Sequence, residues 1–311
     1  MNSRSSRSTR RVRHVGVIAL LLAFAGTATA VALASPSSST RIAGPEIANA
    51  TCDGPTILAA IKKRGAIRVG AGTGPPNTFP DVRTGAWQGT NSYIMRAVAK
   101  RIGVRLKVSF GPVGAIVPAI QSGRADVTSG LFKNAQRAQV ADFSIAFQWP
   151  SVNVYVKQGD NSVHSLADLK DKQLGAASGT AELVAAQELI KAGYGKGVSI
   201  AQTAPGPLDL LADNRVDAIV LSNLIARYAL AQNPGRYRFK AAVEVPTSYF
   251  GEAGVTASYF LVKKTACNVT FLNAINTTIR RLRATGEMAK IYKRYGLVDK
   301  SIYTPPPGWR D

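Results

Sequence analysis

The feature that most constrains this chain is a strand-then-helix alternation that runs through it twice. "AIRVGAG", residues 66–72, is a short apolar run ending in glycine and reads as a buried strand. "TNSYIMRAVAKRIGV" follows with Ile94, Ala97, Val98 and Ile102 at the helical period. "RLKVSF" is a second strand, "AIVPAIQSG" a short helix and "RADVTSG" a third strand. The order then returns. "SLADLKDKQLGAASG" gives a short helix and a strand into glycine, and "AELVAAQELIKAG" a helix stopped by Gly193. "VSIAQT", "GPLDLLADN" and "VDAIVLSN" read as strand, helix and strand. Such alternation builds mainly parallel sheets covered by helices, so the expected class is α/β.

Two extended stretches, "SVNVYVKQ" (151–158) and "VTASYFLVKK" (255–264), bracket the second block. The second block is thus expected as an insertion in the first, joined to it by two crossing strands. Lobe 1 comprises 65–152 and 255–311, and lobe 2 comprises 153–254. In hinged α/β folds, ligands bind between lobes at the carboxyl ends of the strands. After the second crossing come helical segments, with Phe271, Ile275, Ile279 and Leu282 in register.

Residues 1–34 read as a signal peptide. Arg4, Arg7, Arg10, Arg11 and Arg13 precede the apolar run "HVGVIALLLAFAGTATAVALA", which ends in small residues. A lone membrane anchor is the alternative, since about 18 apolar residues can span a bilayer; the "ATA" and "ALA" sites favour cleavage and release into the periplasm. "TRR" hints at twin-arginine export, but Arg13 stands where a bulky apolar residue is preferred. Residues 35–64 are expected as an N-terminal extension. In an exported chain the two cysteines, Cys52 and Cys267, point to a disulfide closing a very long loop. Two free buried thiols are the alternative.

The chain carries 39 Lys and Arg against 18 Asp and Glu, a net charge of +21. Without the five signal arginines the balance is 34 against 18, or +16. The cations are scattered, densest at "IRRLR" and "KIYKRYG", and lack the interleaved aromatics of single-strand binders. A solvated basic face therefore fits better than a nucleic-acid surface. Of the two histidines, His14 lies in the signal and His164 in a linker-like turn. No nucleophile–histidine pair or metal-spaced cluster stands out, so no catalytic residue, metal or cofactor is expected.

The stretch "SGLFKNAQRAQVADFS" carries most of the functional signal. It reads as a strand end, a break, a short helix capped by Asn134 and a new strand, with Arg137 in the first helical turn. A cation there is mildly unfavourable unless an anion shares the site. A ligand carboxylate fits, since a guanidinium grips one with two parallel bonds; the alternative partner is Asp142.

Taken in order, "RGAIRVG", "GVRLKV", "IVPAIQSGRADV", "NAQRAQVADFS", "SLADLKDKQLGAASGTAE", "NRVDAIVLS" and "LRATGEMAKIYKRYG" resemble the polar-amino-acid class of periplasmic solute-binding proteins, family 3, which serve ABC importers. The resemblance covers essentially the whole mature chain. It implies the two-lobe type II periplasmic-binding-protein fold and a monomer that closes around a small polar ligand and delivers it to a membrane permease. The spacing around "GPLDLLADNRVDAIVLSNL" looks most like ectoine and hydroxyectoine binders. A rival on the same scaffold is a cyclohexadienyl-dehydratase-like enzyme, for which Glu182 is the acid placed near the cleft.

By that resemblance Arg137 clamps the ligand carboxylate, and the backbone of Gly130 and Phe132 contacts the ligand. Phe132 replaces a family threonine. "SGTAE" resembles the second-lobe loop that meets the ligand, with Gly179 and Thr180 as contacts; an ordinary strand-to-helix turn is the alternative. Ser222 stands where amino-acid binders carry an aspartate for the ligand ammonium. A buried ammonium without a carboxylate partner is costly, so the amino half of a ligand needs Glu182, Glu252 or another acid. Val113 replaces a common aromatic wall residue, and Tyr93 a common acid. Phe79, Trp87, Phe147 and Trp149 are candidate wall aromatics, Phe79 foremost because it lies in the loop after the first strand.

Overall fold

A computed structural model describes residues 51–250 and 256–310. The expected signal peptide, residues 35–50 of the expected extension and Glu252 lie outside the described residues. The first block contains α1 (Ile57–Arg64), β1 (Ala66–Ala71), β2 (Phe79–Pro80), β3 (Trp87–Gln88), α2 (Thr90–Ile102) and β4 (Arg105–Phe110). It continues through α3 (Val113–Gln121), β5 (Val127–Thr128), β6 (Leu131–Phe132), α4 (Ala135–Val140) and β7 (Ala141–Phe143). The inserted block contains β8 (Val152–Lys157), β9 (Gln173–Ala177), α5 (Ala181–Lys191), β10 (Gly197–Ala201), α6 (Gly206–Ala212), β11 (Ala218–Ser222), α7 (Asn223–Gln232) and β12 (Phe239–Glu244). The chain returns through β13 (Ser258–Tyr259) and β14 (Leu261–Lys263) to α8 (Val269–Ala284) and α9 (Glu287–Lys293).

In lobe 1, β1 lies between β4 and β5, parallel to both. Helix α8 seats Phe271, Ile275, Ile279 and Leu282 in the core, together with Ile94, Met95 and Val98 of α2. The periodic apolar positions form one face, and burying that face is what holds these helices.

Lobe 2 has a five-stranded sheet, ordered β10-β9-β11-β8-β12. Val154 and Val156 of β8, with Ala218 and Val220 of β11, pack into one core; Tyr155, Ile219 and Leu221 pack into another. Both faces are covered, which is why these strands read as nearly continuous apolar runs.

Three stretches bear on the lobe limits. The extension drawn to residue 64 ends in helix α1, whose Ile61 is fully buried in the lobe 1 core. The stretch 151–158 is an interior strand of the lobe 2 sheet, antiparallel to both β11 and β12. The second crossing stretch splits into β13 and β14, which pair with β6 and β7 of lobe 1.

Cys52 and Cys267 form a disulfide across 215 positions, with Cα atoms 4.8 Å apart. It ties the segment before α1 to the start of α8.

Candidate functional site

Helix α4 is built as the sequence indicates. Asn134 caps it, its side-chain oxygen accepting the Arg137 backbone N–H at 2.8 Å. Arg137 is only 8% exposed. Its Nη1 donates to the Phe132 carbonyl at 2.5 Å, and its Nη2 crosses to the Gly179 carbonyl at 2.9 Å. Asp142, the alternative partner, instead accepts from Asn268 Nδ2 at 2.6 Å. Among the described residues no carboxylate lies within ion-pair distance of Arg137. Burial pushes its pKa down to about 10, with the charge of Glu182 opposing the shift. At neutral pH the side chain is therefore a cation, and two carbonyls leave other guanidinium N–H groups to spend.

Arg137 lies on the wall of a cavity of about 90 Å³ shared by the two lobes. Gly72, Gly130 and Phe132 line it from lobe 1; Thr180, Glu182 and Ser222 line it from lobe 2. Glu182 is in the first turn of α5, capped by Thr180, whose Oγ1 accepts from Leu183 N at 3.2 Å. Burial pushes the Glu182 carboxyl up; hydrogen bonds at its helix N-terminus and the Arg137 charge offset part of that. Glu182 and Arg137 are thus one acid and one base buried in the same cavity from different lobes.

Ser222 closes β11 and caps α7, its Oγ accepting from Leu224 N at 3.3 Å, and it is 2% exposed. Gly130 has φ +106°, and a Cβ there would lie 2.5 Å from Asn91 Nδ2. A side chain at this position is excluded twice, by the backbone angle and by contact.

Gly179 and Phe79 fall elsewhere. Gly179 is not in the cavity lining; it lies on the outer side of Arg137, where it meets Gly114 of α3. Its φ is +73°, and a Cβ would lie 2.6 Å from Gly114 Cα. Phe79, also outside the lining, packs against Tyr228 and Tyr295, with ring centroids 6.3 and 6.2 Å away. Trp87, Phe147 and Trp149 are packing residues. Trp87 Nε1 donates to Thr78 Oγ1 at 2.8 Å, Phe147 stacks on Phe260 and Trp149 meets Trp309 edge-on. Phe132 is the one aromatic among the described lining residues. Val113 lines the cavity, whereas Tyr93 faces Arg294, whose Nη1 donates to its hydroxyl at 3.2 Å.

Sequence reasoning missed the polar groups contributed by distant segments. Asn91 holds the Ser129 carbonyl at 2.7 Å, and Gln148 donates to Ser258 Oγ at 3.0 Å while accepting from Tyr292 at 2.8 Å. Asn91, Gln148 and Ser258 all line the cavity. No local motif marks them, because each is placed by tertiary packing. Among the described residues no group of three or more His, Cys, Asp or Glu could hold a metal ion.

The profile of the bacterial extracellular solute-binding proteins, family 3, matches residues 67–298. The chain is similar to the L-cystine-binding protein TcyA of Bacillus subtilis (strain 168), with 25% identity over 240 residues, 77% of this chain and 84% of the relative. Among solved structures it resembles an ancestral arginine-binding protein bound to arginine. The TM-score is 0.65 at 29% identity, over 75% of this chain and 98% of the other. It also resembles an ancestral amino acid-binding protein that is a precursor of cyclohexadienyl dehydratase. That TM-score is 0.65 at 23% identity, over 77% of this chain and 99% of the other, a likeness of fold alone. The architecture is that of the two-lobe type II periplasmic binding proteins.

Proposed function

We propose, from the premise that this chain belongs to the family 3 bacterial extracellular solute-binding proteins, that it captures a free amino acid for a membrane permease of an ABC importer. Arg137 and the backbone around Gly130 and Phe132 hold the ligand carboxylate. Glu182 takes the ammonium, a role that Ser222 cannot fill. Thr180 and Ser222 complete the second-lobe wall. The carrying observation is that buried Arg137 and buried Glu182 line one cavity, each presented by a different lobe. A zwitterion bridging them favours the closed state, because it touches both charges only when the lobes are together.

The lobe limits, 65–152 with 255–311 and 153–254, are part of this reading, as are the cleaved signal 1–34, a periplasmic location and action as a monomer. The arginine and cystine binders among its relatives support an amino acid over another solute. An ectoine-like compatible solute is the second reading. It is favoured by Ser222, since a ligand with a delocalised, weakly hydrated cation demands less of a counter-ion. Dehydratase-like catalysis would need Glu182 as a proton donor, and its raised pKa is the observation on that side.

A thermal-shift screen of the protein without its signal tests the proposal. An amino acid should raise the melting temperature, and its amide and its deaminated analogue should not. Failure of every amino acid beside a response to ectoine would transfer the reading to the compatible solute. Turnover of prephenate or arogenate would replace binding by catalysis.

A further inference from the structure

The two lobes differ sharply in charge. Segments 51–152 and 256–310 carry 23 Lys and Arg against 6 Asp and Glu, a net +17, whereas segment 153–250 carries 10 against 9, a net +1. Nearly all the excess charge of the described chain is therefore on lobe 1. Ligand capture does not explain this, because the cavity needs only Arg137.

Part of that excess gathers at one end of the lobe. Helices α1 and α2 and strand β4 contain no Asp or Glu. Lys62 and Lys63 stand in the last turn of α1, Lys100 and Arg101 in the last turn of α2, and Arg105 and Lys107 on β4; all six are exposed. β1 and β4 run parallel with Ala66 opposite Arg105, and Arg105 N donates to Gly65 O at 3.1 Å. The ends of both helices and the starts of both strands therefore meet at one edge of the lobe. Gly72, after the other end of β1, lines the ligand cavity. The cationic edge is thus at the foot of lobe 1, away from the cleft.

Other cations in this region have structural work. Arg64 and Arg68 pair with Asp126, and Arg96 donates to the Trp87 carbonyl. Among the described residues the six foot cations have no acidic partner within 4 Å. Helix-dipole compensation accounts for cations at the ends of α1 and α2, but not for Arg105 and Lys107 on a strand. Like charges gathered at one end of the lobe repel one another, and an anionic surface relieves that repulsion.

We infer that the foot of lobe 1 docks electrostatically on an anionic phospholipid bilayer, leaving the cleft free. The six cations spread over two helix ends and an edge strand, which suits a diffuse sheet of headgroup phosphates. None of the six is accompanied by an exposed aromatic for stacking bases. The choice of a membrane rests on the extracytoplasmic reading above, which puts the protein beside a bilayer.

Vesicle co-sedimentation tests the inference with two variants. The first carries Lys62→Glu, Lys100→Glu, Arg101→Glu and Arg105→Glu; the second carries Lys170→Glu, Lys196→Glu, Arg215→Glu and Arg238→Glu on lobe 2. The unaltered protein should bind vesicles containing phosphatidylglycerol at low salt, ignore pure phosphatidylcholine and be released near ~0.5 M salt. Each cation at an anionic surface contributes roughly fivefold, so the first variant should bind at least about tenfold more weakly while the second stays within about twofold. Equal binding to neutral vesicles, equal loss in both variants, or binding to soluble inorganic polyphosphate without binding to vesicles would overturn it. The amino-acid thermal shift, read in parallel on both variants, should persist. Loss of the shift in the unaltered protein while vesicles still bind would count against the ligand reading alone.

Discussion

Arg137, on the first lobe, donates from Nη2 to the carbonyl of Gly179, on the second, at 2.9 Å. The side chain we assign to a ligand carboxylate is therefore also a tie across the cleft. Gly179 reaches that carbonyl position by taking φ +73° and resting against Gly114. Replacing Gly179 with alanine adds a Cβ that meets Gly114 backbone and strains the αL angle by about 1 kcal/mol. The expected outcome is weaker ligand binding, on the order of tenfold or more, because closure is obstructed. Small-angle scattering checks the cause: the ligand-induced compaction of the unaltered protein should be reduced in Gly179→Ala.

Acidity should act on stability and binding in opposite directions through Glu182. Its folded-state pKa lies above the ordinary value of 4.5, so the fold holds this proton more tightly than the unfolded chain does. The ligand-free protein has this contribution in full below about 4.5 and loses it as pH rises through the raised value. A ligand ammonium needs the ionised form, so affinity should fall as pH is lowered through the same window. Melting curves against pH, with and without amino acid, measure both. Glu182→Gln should lose the pH slope in each.

The disulfide should stabilise the fold without altering ligand binding. Neither Cys52 nor Cys267 lines the cavity, and the bridge closes a loop with a sequence separation of 215. Its loss, by reduction or by Cys52→Ser with Cys267→Ser, should cost about 2–5 kcal/mol. For a chain of this size that lowers the melting temperature by roughly 5–15 °C. Calorimetry measures the loss, and the ligand dissociation constant should remain within about twofold of the original.

Phe79 is placed to latch the lobes. Its ring touches Tyr228 of α7 and Tyr295 beyond α9, and aromatic pairs of this kind contribute about 0.5–1.5 kcal/mol each. Phe79→Ala should weaken every ligand by a similar factor, about 2–10-fold. A direct ligand contact would instead change the ranking of ligands, so affinities for a short series of amino acids separate the two roles.

The α/β class was legible because β1 and β9 run directly into Gly72 and Ser178 and β11 ends at Ser222, each ahead of a periodic helix, and buried strands leave nearly unbroken apolar runs. Strand β12 was not legible. Its "FKAAVE" sits at the sheet edge, paired only to β8, with exposed positions among its residues. The capped helix start that carries Arg137 was legible because its cap, Asn134, is three residues away. The packing contacts of Gly179 with Gly114 and of Phe79 with Tyr228 were not, because the partners come from parts of the chain far away in sequence. Asn91 and Gln148 were silent for the same reason.

The central claim is that Arg137 and Glu182 read the two charges of one zwitterion. Isothermal titration of the best amino acid and its deaminated analogue against the unaltered protein, Arg137→Ala and Glu182→Gln tests it most directly. Truncating a buried charged partner costs about 2–5 kcal/mol. Arg137→Ala should therefore weaken the amino acid by at least about thirtyfold. Glu182→Gln should weaken the amino acid similarly while improving the deaminated analogue. An amino acid bound equally well by either variant would contradict the account.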